Sequence, residues 1–155
     1  MSDTPNRILV GFDGSEESKQ ALRWAVDLAA LLHAEVHAFH AWNLPSNYDF
    51  PYAFEGWDPA IDPQREFDAA VREIDTGRRP DRLPLNVVRG DPARVLIEES
   101  HQATMLVVGS RGLGGFASLM MGSVSAKCAR HSACPVLVMH GTQDLYRTST
   151  SDESL

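Results

Sequence analysis

Glycines and hydroxyl residues in the last third of the chain have the spacing of a phosphate-binding loop. Gly109 and Gly112 are followed, after nine intervening residues, by the segment Gly122-Ser123-Val124-Ser125. Glycines allow a chain that leaves a strand to turn sharply and expose its backbone N–H groups, and the start of a following helix favours an anion. The residue types and their spacing therefore predict phosphate binding between a strand and a helix.

The charge pattern around this loop is compatible with an anionic ligand. The chain has a formal net charge of −7, yet the segment between Ser100 and Gln143 contains no Asp or Glu and does contain Arg111, Lys127 and Arg130. We expect a locally cationic neighbourhood, although a buried strand and a packed helix would also leave few positions for acids. The overall negative charge argues against a nucleic-acid binder, which needs many contacts from Lys and Arg to phosphates.

Two better-known phosphate motifs do not fit this loop. A Walker loop requires a lysine before the hydroxyl residue, and here Gly122 directly precedes Ser123. The segment 112–117 matches a dinucleotide fingerprint, but it follows the fourth predicted strand and has no acid about twenty residues later to bind a ribose. Neither a P-loop kinase or ATPase nor a dinucleotide-binding enzyme is indicated.

The elements that must position the loop alternate regularly along the chain. Short apolar runs predict strands and apolar residues at helical spacing predict helices. The predicted strands are Arg7–Phe12, Glu35–Trp42, Leu85–Arg89, Met105–Gly109 and Pro135–His140, and the predicted helices are 15–33, Pro63–Thr76, Ala93–Gln102 and Ser123–His131. This order predicts an α/β fold with parallel strands, in which ligands bind at the carboxyl ends of the strands.

Length and composition predict one domain over residues 1–140. The chain has 155 residues, and 43% of them are hydrophobic. This content is enough to form one core, and the chain is too short for two domains. The segment 141–155 is rich in Ser, Thr and acids, and we expect it to be disordered. The proline-rich, aromatic segment Asn43–Asp62 is predicted to be a loop that either covers the sheet edge or forms a lid or a partner surface.

The cellular setting is predicted from what the sequence lacks. It has no signal-like N-terminus and no apolar run of about eighteen residues, so we expect a cytoplasmic protein that has no membrane partner. The two cysteines, Cys128 and Cys134, do not have the spacing of a redox motif and are predicted to be reduced structural residues.

Four segments resemble the universal stress protein family, specifically its nucleotide-binding branch. They are the glycine loop itself, Val10–Ser15 at the family's opening, Val88–Pro92 at its third crossover, and Cys134–Val138 at its final strand. The resemblance runs from Arg7 to His140. It implies a five-stranded parallel sheet in the order 3-2-1-4-5 with helices on both faces, a Rossmann-like sandwich of the adenine nucleotide alpha-hydrolase type. It also implies ATP binding and a homodimer formed through the strand Val136–His140.

The resemblance also implies roles for individual residues. Asp13 would meet the ribose or a phosphate-bound Mg or Mn ion, Ala41 would contact adenine through its backbone, and Arg111 would act as a counter-charge. The complete predicted site is Gly11, Asp13, Ala41, Gly109, Ser110, Arg111, Gly112, Gly115, Gly122, Ser123, Val124 and Ser125. Other interpretations stay open, because Asp13 fits a turn residue, Arg111 a solvated loop charge, and Ser123 a helix N-cap.

The residues around the loop form no recognisable catalytic group. The motif has no lysine, no positioned base, and no nucleophile with an oriented histidine. The leading hypothesis is an ATP-binding stress-response protein that senses or sequesters nucleotide and acts as a dimer through an unidentified protein partner. One alternative is a slow Mg-dependent ATPase or phosphotransferase that uses the same loop with Asp13. Another is a structural dimer that binds no nucleotide.

Overall fold

The fold is an α/β sandwich built on one parallel sheet. The computed structural model describes residues 6–43, 61–112 and 121–140. The elements in these ranges are β1 (Arg7–Gly11), α1 (Glu16–Leu32), β2 (Glu35–Trp42), α2 (Ile61–Arg72), β3 (Leu85–Arg89), α3 (Pro92–Ser100), β4 (Met105–Gly109), α4 (Ser123–His131) and β5 (Val136–Met139). All strands pair in parallel in the order β3-β2-β1-β4-β5, which confirms the predicted fold class.

The sheet is covered by helices on both faces. Successive residues of β1 point to opposite faces, so Ile8 and Val10 join the core under α1 and α2, and Leu9 joins the core under α3 and α4. All three side chains are fully buried. The apolar run that predicted this strand is therefore explained by a central strand with a core on each side.

Several element ends differ from the predicted ones. Helix α2 begins at Ile61 rather than Pro63, since proline is tolerated in a first helical turn, where its missing N–H costs no intrahelical bond. The helix ends at Arg72 rather than Thr76, because the next two N–H groups bond to carbonyl oxygens three residues back instead of four. Strand β5 ends at Met139 and not at His140. The Met139 carbonyl oxygen accepts the last ladder hydrogen bond from the Ser110 N–H at 2.7 Å, and the Ser110 carbonyl then turns to α4.

Some predictions lie outside the described residues. These are most of the aromatic loop Asn43–Asp62, the site residue Gly115 and the tail 141–155. Among the helices in the described ranges, none has the length and apolar character needed to span a bilayer. Cys128 and Cys134 are both free thiols, as predicted.

Candidate functional site

A cavity of about 320 Å³ lies at the carboxyl ends of the strands. Its walls come from the ends of β1, β2 and β4 and from the first turns of α1, α3 and α4. The predicted site residues that line it are Gly11, Asp13, Ala41, Gly109, Arg111, Gly112, Gly122, Ser123, Val124 and Ser125. The fold therefore brings residues from four separate segments of the chain to one concave surface.

Ser110 is part of the scaffold beneath the cavity. Its side chain is 2% exposed, and its carbonyl oxygen accepts hydrogen bonds from the Gly122 N–H at 2.6 Å and from the Ser125 hydroxyl at 2.9 Å. These bonds fix the end of β4 against the start of α4. Because the Ser125 hydroxyl uses its proton in this way, Ser125 has only its backbone N–H to offer an anion.

The N-terminus of α4 differs from those of α1 and α3, which also border the cavity. The Ser15 hydroxyl accepts from the Ser18 N–H in α1, and the Asp91 carboxylate accepts from the Arg94 N–H in α3. In α4 the N-cap is Gly122, which has no side chain to cap the helix. The interpretation of Ser123 as the N-cap is therefore wrong.

The first amides of α4 are available to a ligand. The Ala126 N–H makes the first intrahelical bond, to the Gly122 carbonyl oxygen at 3.0 Å, so the N–H groups of Ser123, Val124 and Ser125 precede the helical ladder. Helix α4 has no acid in its first turn, whereas α1 has Glu16 and Glu17 there. Of the three helix starts whose caps are described, α4 is the one suited to an anion.

Close packing requires a glycine at position 109, and Gly112 lies directly against the Asp13 carboxylate. A Cβ atom at Gly109 would lie 2.7 Å from the Cβ atom of Glu17, and one at Gly112 would overlap Oδ2 of Asp13. At Gly122, a Cβ atom would lie 3.5 Å from the Arg111 Cα atom, which is ordinary contact. Gly122 therefore has room for a side chain, and that side chain would enter the space at the start of α4.

The fold places acids beside the loop, so the expected cationic character does not extend over the whole site. Asp13 lines the cavity, and Oε1 of Glu17 lies 3.8 Å from Nη2 of Arg111. Arg111 is therefore ion-paired, not a solvated loop charge, and its side chain is 29% exposed. Asp13 was predicted as a site residue, whereas Glu17 was not, because it comes from the distant first turn of α1.

Asp13 combines a structural contact with a position in the cavity wall. Its Oδ1 atom accepts a hydrogen bond from the Ser15 N–H at 2.9 Å, which is the predicted turn role. Its Oδ2 atom lies directly beside Gly112, and both residues line the cavity. Among the described residues no group of three or more His, Cys, Asp or Glu side chains is arranged to hold a metal ion.

The backbone of Ala41 is directed over the end of β1. Backbone groups of successive strand residues point to opposite neighbouring strands. The Phe39 carbonyl oxygen accepts from the Phe12 N–H at 2.9 Å, so the Phe39 backbone faces β1, and Ala41, two residues later, faces the same side. Strand β1 ends at Gly11, the partner of Phe39. The Ala41 N–H and carbonyl thus lie beyond the β1 ladder, beside the cavity that this residue lines.

The remaining wall was not predicted from the sequence. It consists of the polar residues Ser15 and Ser18 and of Phe12, Phe39, Pro92, Leu96 and Val108. The rule that ligands bind at strand ends selects the turns but does not say which neighbouring side chains face inward. Alternation along β2 carries the missing signal, because Phe39 must share a face with Ala41.

Comparison with known proteins identifies the family of this chain. The model of the Universal stress protein family matches residues 5–140. The chain belongs to the universal stress protein family. A universal stress protein of Mycobacterium tuberculosis strain H37Rv is 37% identical over 134 residues, which cover 84% of this chain and 44% of that protein. The chain thus spans less than half the length of the curated relatives that it matches.

Solved universal stress proteins share the same fold. A crystal structure of a universal stress protein in complex with cAMP is 28% identical, with a TM-score of 0.62, and the match covers 87% of this chain and 96% of that chain. A universal stress protein from Archaeoglobus fulgidus in complex with dAMP is 17% identical, with a TM-score of 0.60, and the match covers 86% and 97% of the two chains. At that identity the second likeness shows the fold alone.

Proposed function

We propose that this universal stress protein binds an adenine nucleotide, ATP, with the phosphates at the start of α4. The observation that carries the proposal is the uncapped first turn of that helix, which borders a cavity at the carboxyl ends of the strands. Three consecutive backbone amides there precede the helical ladder, and such amides at a helix N-terminus commonly bind phosphate oxygens. The matching universal stress protein in complex with cAMP supports an adenine nucleotide as the ligand class.

The base would occupy the apolar part of the cavity. Phe39, Leu96 and Val108 line this part, and the Ala41 backbone offers a donor and an acceptor side by side. Adenine presents an acceptor nitrogen next to an amino donor, so one edge of the base can bond to both Ala41 groups. We therefore assign adenine to Ala41 and the ribose and phosphates to the glycine loop.

The energies require both halves of this site. Three hydrogen bonds to charged phosphate contribute roughly 4.5 to 9 kcal/mol at about 1.5 to 3 kcal/mol each, whereas association costs an estimated 4 to 15 kcal/mol. Phosphate contacts alone do not give tight binding, so burial of the base must contribute. We expect a dissociation constant in the micromolar range, about −8 kcal/mol. The Asp13 carboxylate would contact a Mg or Mn ion carried by the phosphates.

We also propose that the protein acts as a homodimer through β5. Within the described ranges this strand pairs with β4 on one side only, and its four residues are all apolar and half-buried. The carbonyls of Pro135 and Met139 accept bonds from the β4 side, so the backbone groups of Val136 and Val138 point to the open edge. An apolar edge strand is a template for pairing with a second copy. Nucleotide occupancy would then regulate a protein partner of the dimer.

The nucleotide proposal is tested on freshly purified protein. The protein is denatured, and released nucleotide is identified by absorbance and chromatography; stripped, refolded protein is then titrated with ATP, ADP, AMP and cAMP by calorimetry in the presence of magnesium. We expect released adenine nucleotide and micromolar affinity for ATP. Absence of released nucleotide, together with no heat of binding at millimolar ATP, would contradict the proposal. Tighter binding of cAMP than of ATP would retain the adenine site and overturn ATP as the ligand.

A further inference from the structure

The first turn of α1 places a fixed acid beside the arginine of the loop. Glu17 and Arg111 form an ion pair with 3.8 Å between Oε1 and Nη2, and their side chains are only 19% and 29% exposed. The Cβ atom of Glu17 packs directly on Gly109, so the stem of this side chain is fixed against the end of β4. From this position the carboxylate reaches Arg111, which lines the cavity.

The same arginine adjoins the start of α4. The Arg111 Cα atom lies 3.5 Å from where a Cβ atom of Gly122 would be, and Arg111 lines the cavity. The Arg111 backbone thus adjoins the α4 amides while its guanidinium contacts Glu17, so a phosphate chain on those amides would come within reach of this side chain. Two anionic partners would compete for the same cation.

We propose that Glu17 is a positioning residue that sets how strongly the protein prefers nucleoside triphosphates to monophosphates. This inference rests on the proposed function. A monophosphate leaves the Glu17–Arg111 pair intact, whereas the additional phosphates of ATP attract the guanidinium away from Glu17. The free energy of breaking the pair offsets part of the gain from the added phosphates. Glu17 thereby lowers the affinity for ATP and leaves that for AMP unchanged, so the two affinities become more similar. Which nucleotide occupies the site then depends on the ratio of ATP to AMP.

The test compares two neighbouring acids of the same helix. In Glu17→Gln the side chain keeps its Cβ contact with Gly109 and loses its charge. We therefore expect ATP to bind about tenfold more tightly, and the dissociation constant for AMP to change by less than about twofold. Glu16→Gln is the matched control, because it removes the same first-turn charge from a side chain that pairs with Lys19 at 3.1 Å. We expect Glu16→Gln to leave both dissociation constants within about twofold.

A double-mutant cycle separates action through the arginine from direct repulsion of the ligand. Arg111→Gln should weaken ATP binding about tenfold, and adding Glu17→Gln to that variant should not increase its ATP affinity. Thermal denaturation checks that all variants fold. Equal tightening of ATP and AMP by Glu17→Gln, or the same gain with and without Arg111, would overturn the inference while leaving the nucleotide site in place. If the unaltered protein binds no adenine nucleotide, the proposed function fails as well.

Discussion

Substitution of Gly122 tests where the phosphates lie, because this position accepts a side chain. A Cβ atom at Gly122 would make ordinary contacts, 3.5 Å from the Ser110 carbonyl oxygen and 3.8 Å from the Ser125 hydroxyl oxygen. The backbone angles, φ −73° and ψ 168°, are extended and suit any residue. Loss of binding in a Gly122 variant would therefore report on the ligand and not on a disrupted turn.

The effect of Gly122→Glu on affinity should be large. A carboxylate about 4 Å from a phosphate repels it by about 4 kcal/mol at an effective dielectric constant of about 20. At about 1.4 kcal/mol per tenfold change, ATP affinity should fall about a thousandfold, from micromolar to millimolar. In the absence of ligand, the same carboxylate at a helix N-terminus should stabilise the fold by about 0.3 to 1 kcal/mol.

Calorimetry on a series of Gly122 variants separates the effect of side-chain size on ATP binding from the effect of charge. We expect Gly122→Ala to bind ATP almost normally, Gly122→Gln to bind it more weakly, and Gly122→Glu to bind it only at millimolar concentrations, all with melting temperatures at or near that of the unaltered protein. Micromolar affinity in the glutamate variant would refute the placement of the phosphates. Equal loss in the alanine variant would instead mean that the α4 cap itself is disturbed.

Two further predictions concern the dimer and the core. Val138→Pro removes an N–H that points away from β4, so the subunit should stay folded and sediment as a monomer, whereas Val138→Thr keeps the N–H and the dimer. Identical sedimentation of the two variants would count against the β5 interface. Burial raises the pKa of the Cys128 thiol from 9.0 to about 11. Between these two values the folded state keeps a proton that the unfolded state loses. The free energy of unfolding should therefore be unaffected below pH 9 and decline by about 2 to 3 kcal/mol as the pH rises through about 11. Denaturant unfolding of Cys128→Ala should lack this decline, and an equal decline in both proteins would contradict the assignment.

Most of the fold could be predicted because its signals are local. The apolar runs of β1 and β4 are too short for helices and lack alternation, which is what strands with a core on each face require. The order of the strands came from the family resemblance, since local patterns do not specify which strands are neighbours. The end of β5 was misplaced by one residue, because its ladder stops where Ser110 turns toward α4, a contact between distant segments.

The candidate site could be predicted only in part, because many of its contacts join segments that are distant in the sequence. The glycine spacing identified the loop, but Gly and Ser are both acceptable N-caps, so the sequence could not decide between Gly122 and Ser123. The Glu17–Arg111 pair joins residues that are far apart in the sequence, and no local pattern indicates it. The apolar wall beside Ala41 was missed because its members are ordinary core residues when read one segment at a time.

The central claim is that one cavity holds adenine at Ala41 and phosphates at the uncapped start of α4. Titration of ¹⁵N-labelled protein with ATP, followed by amide NMR shifts, tests it most directly. We predict the largest shifts at the Ala41 amide and at those of Ser123, Val124 and Ser125, with little change at Arg94, whose N–H is already bonded to Asp91 in α3. Shifts that cluster elsewhere, or no shifts at millimolar ATP, would contradict the account.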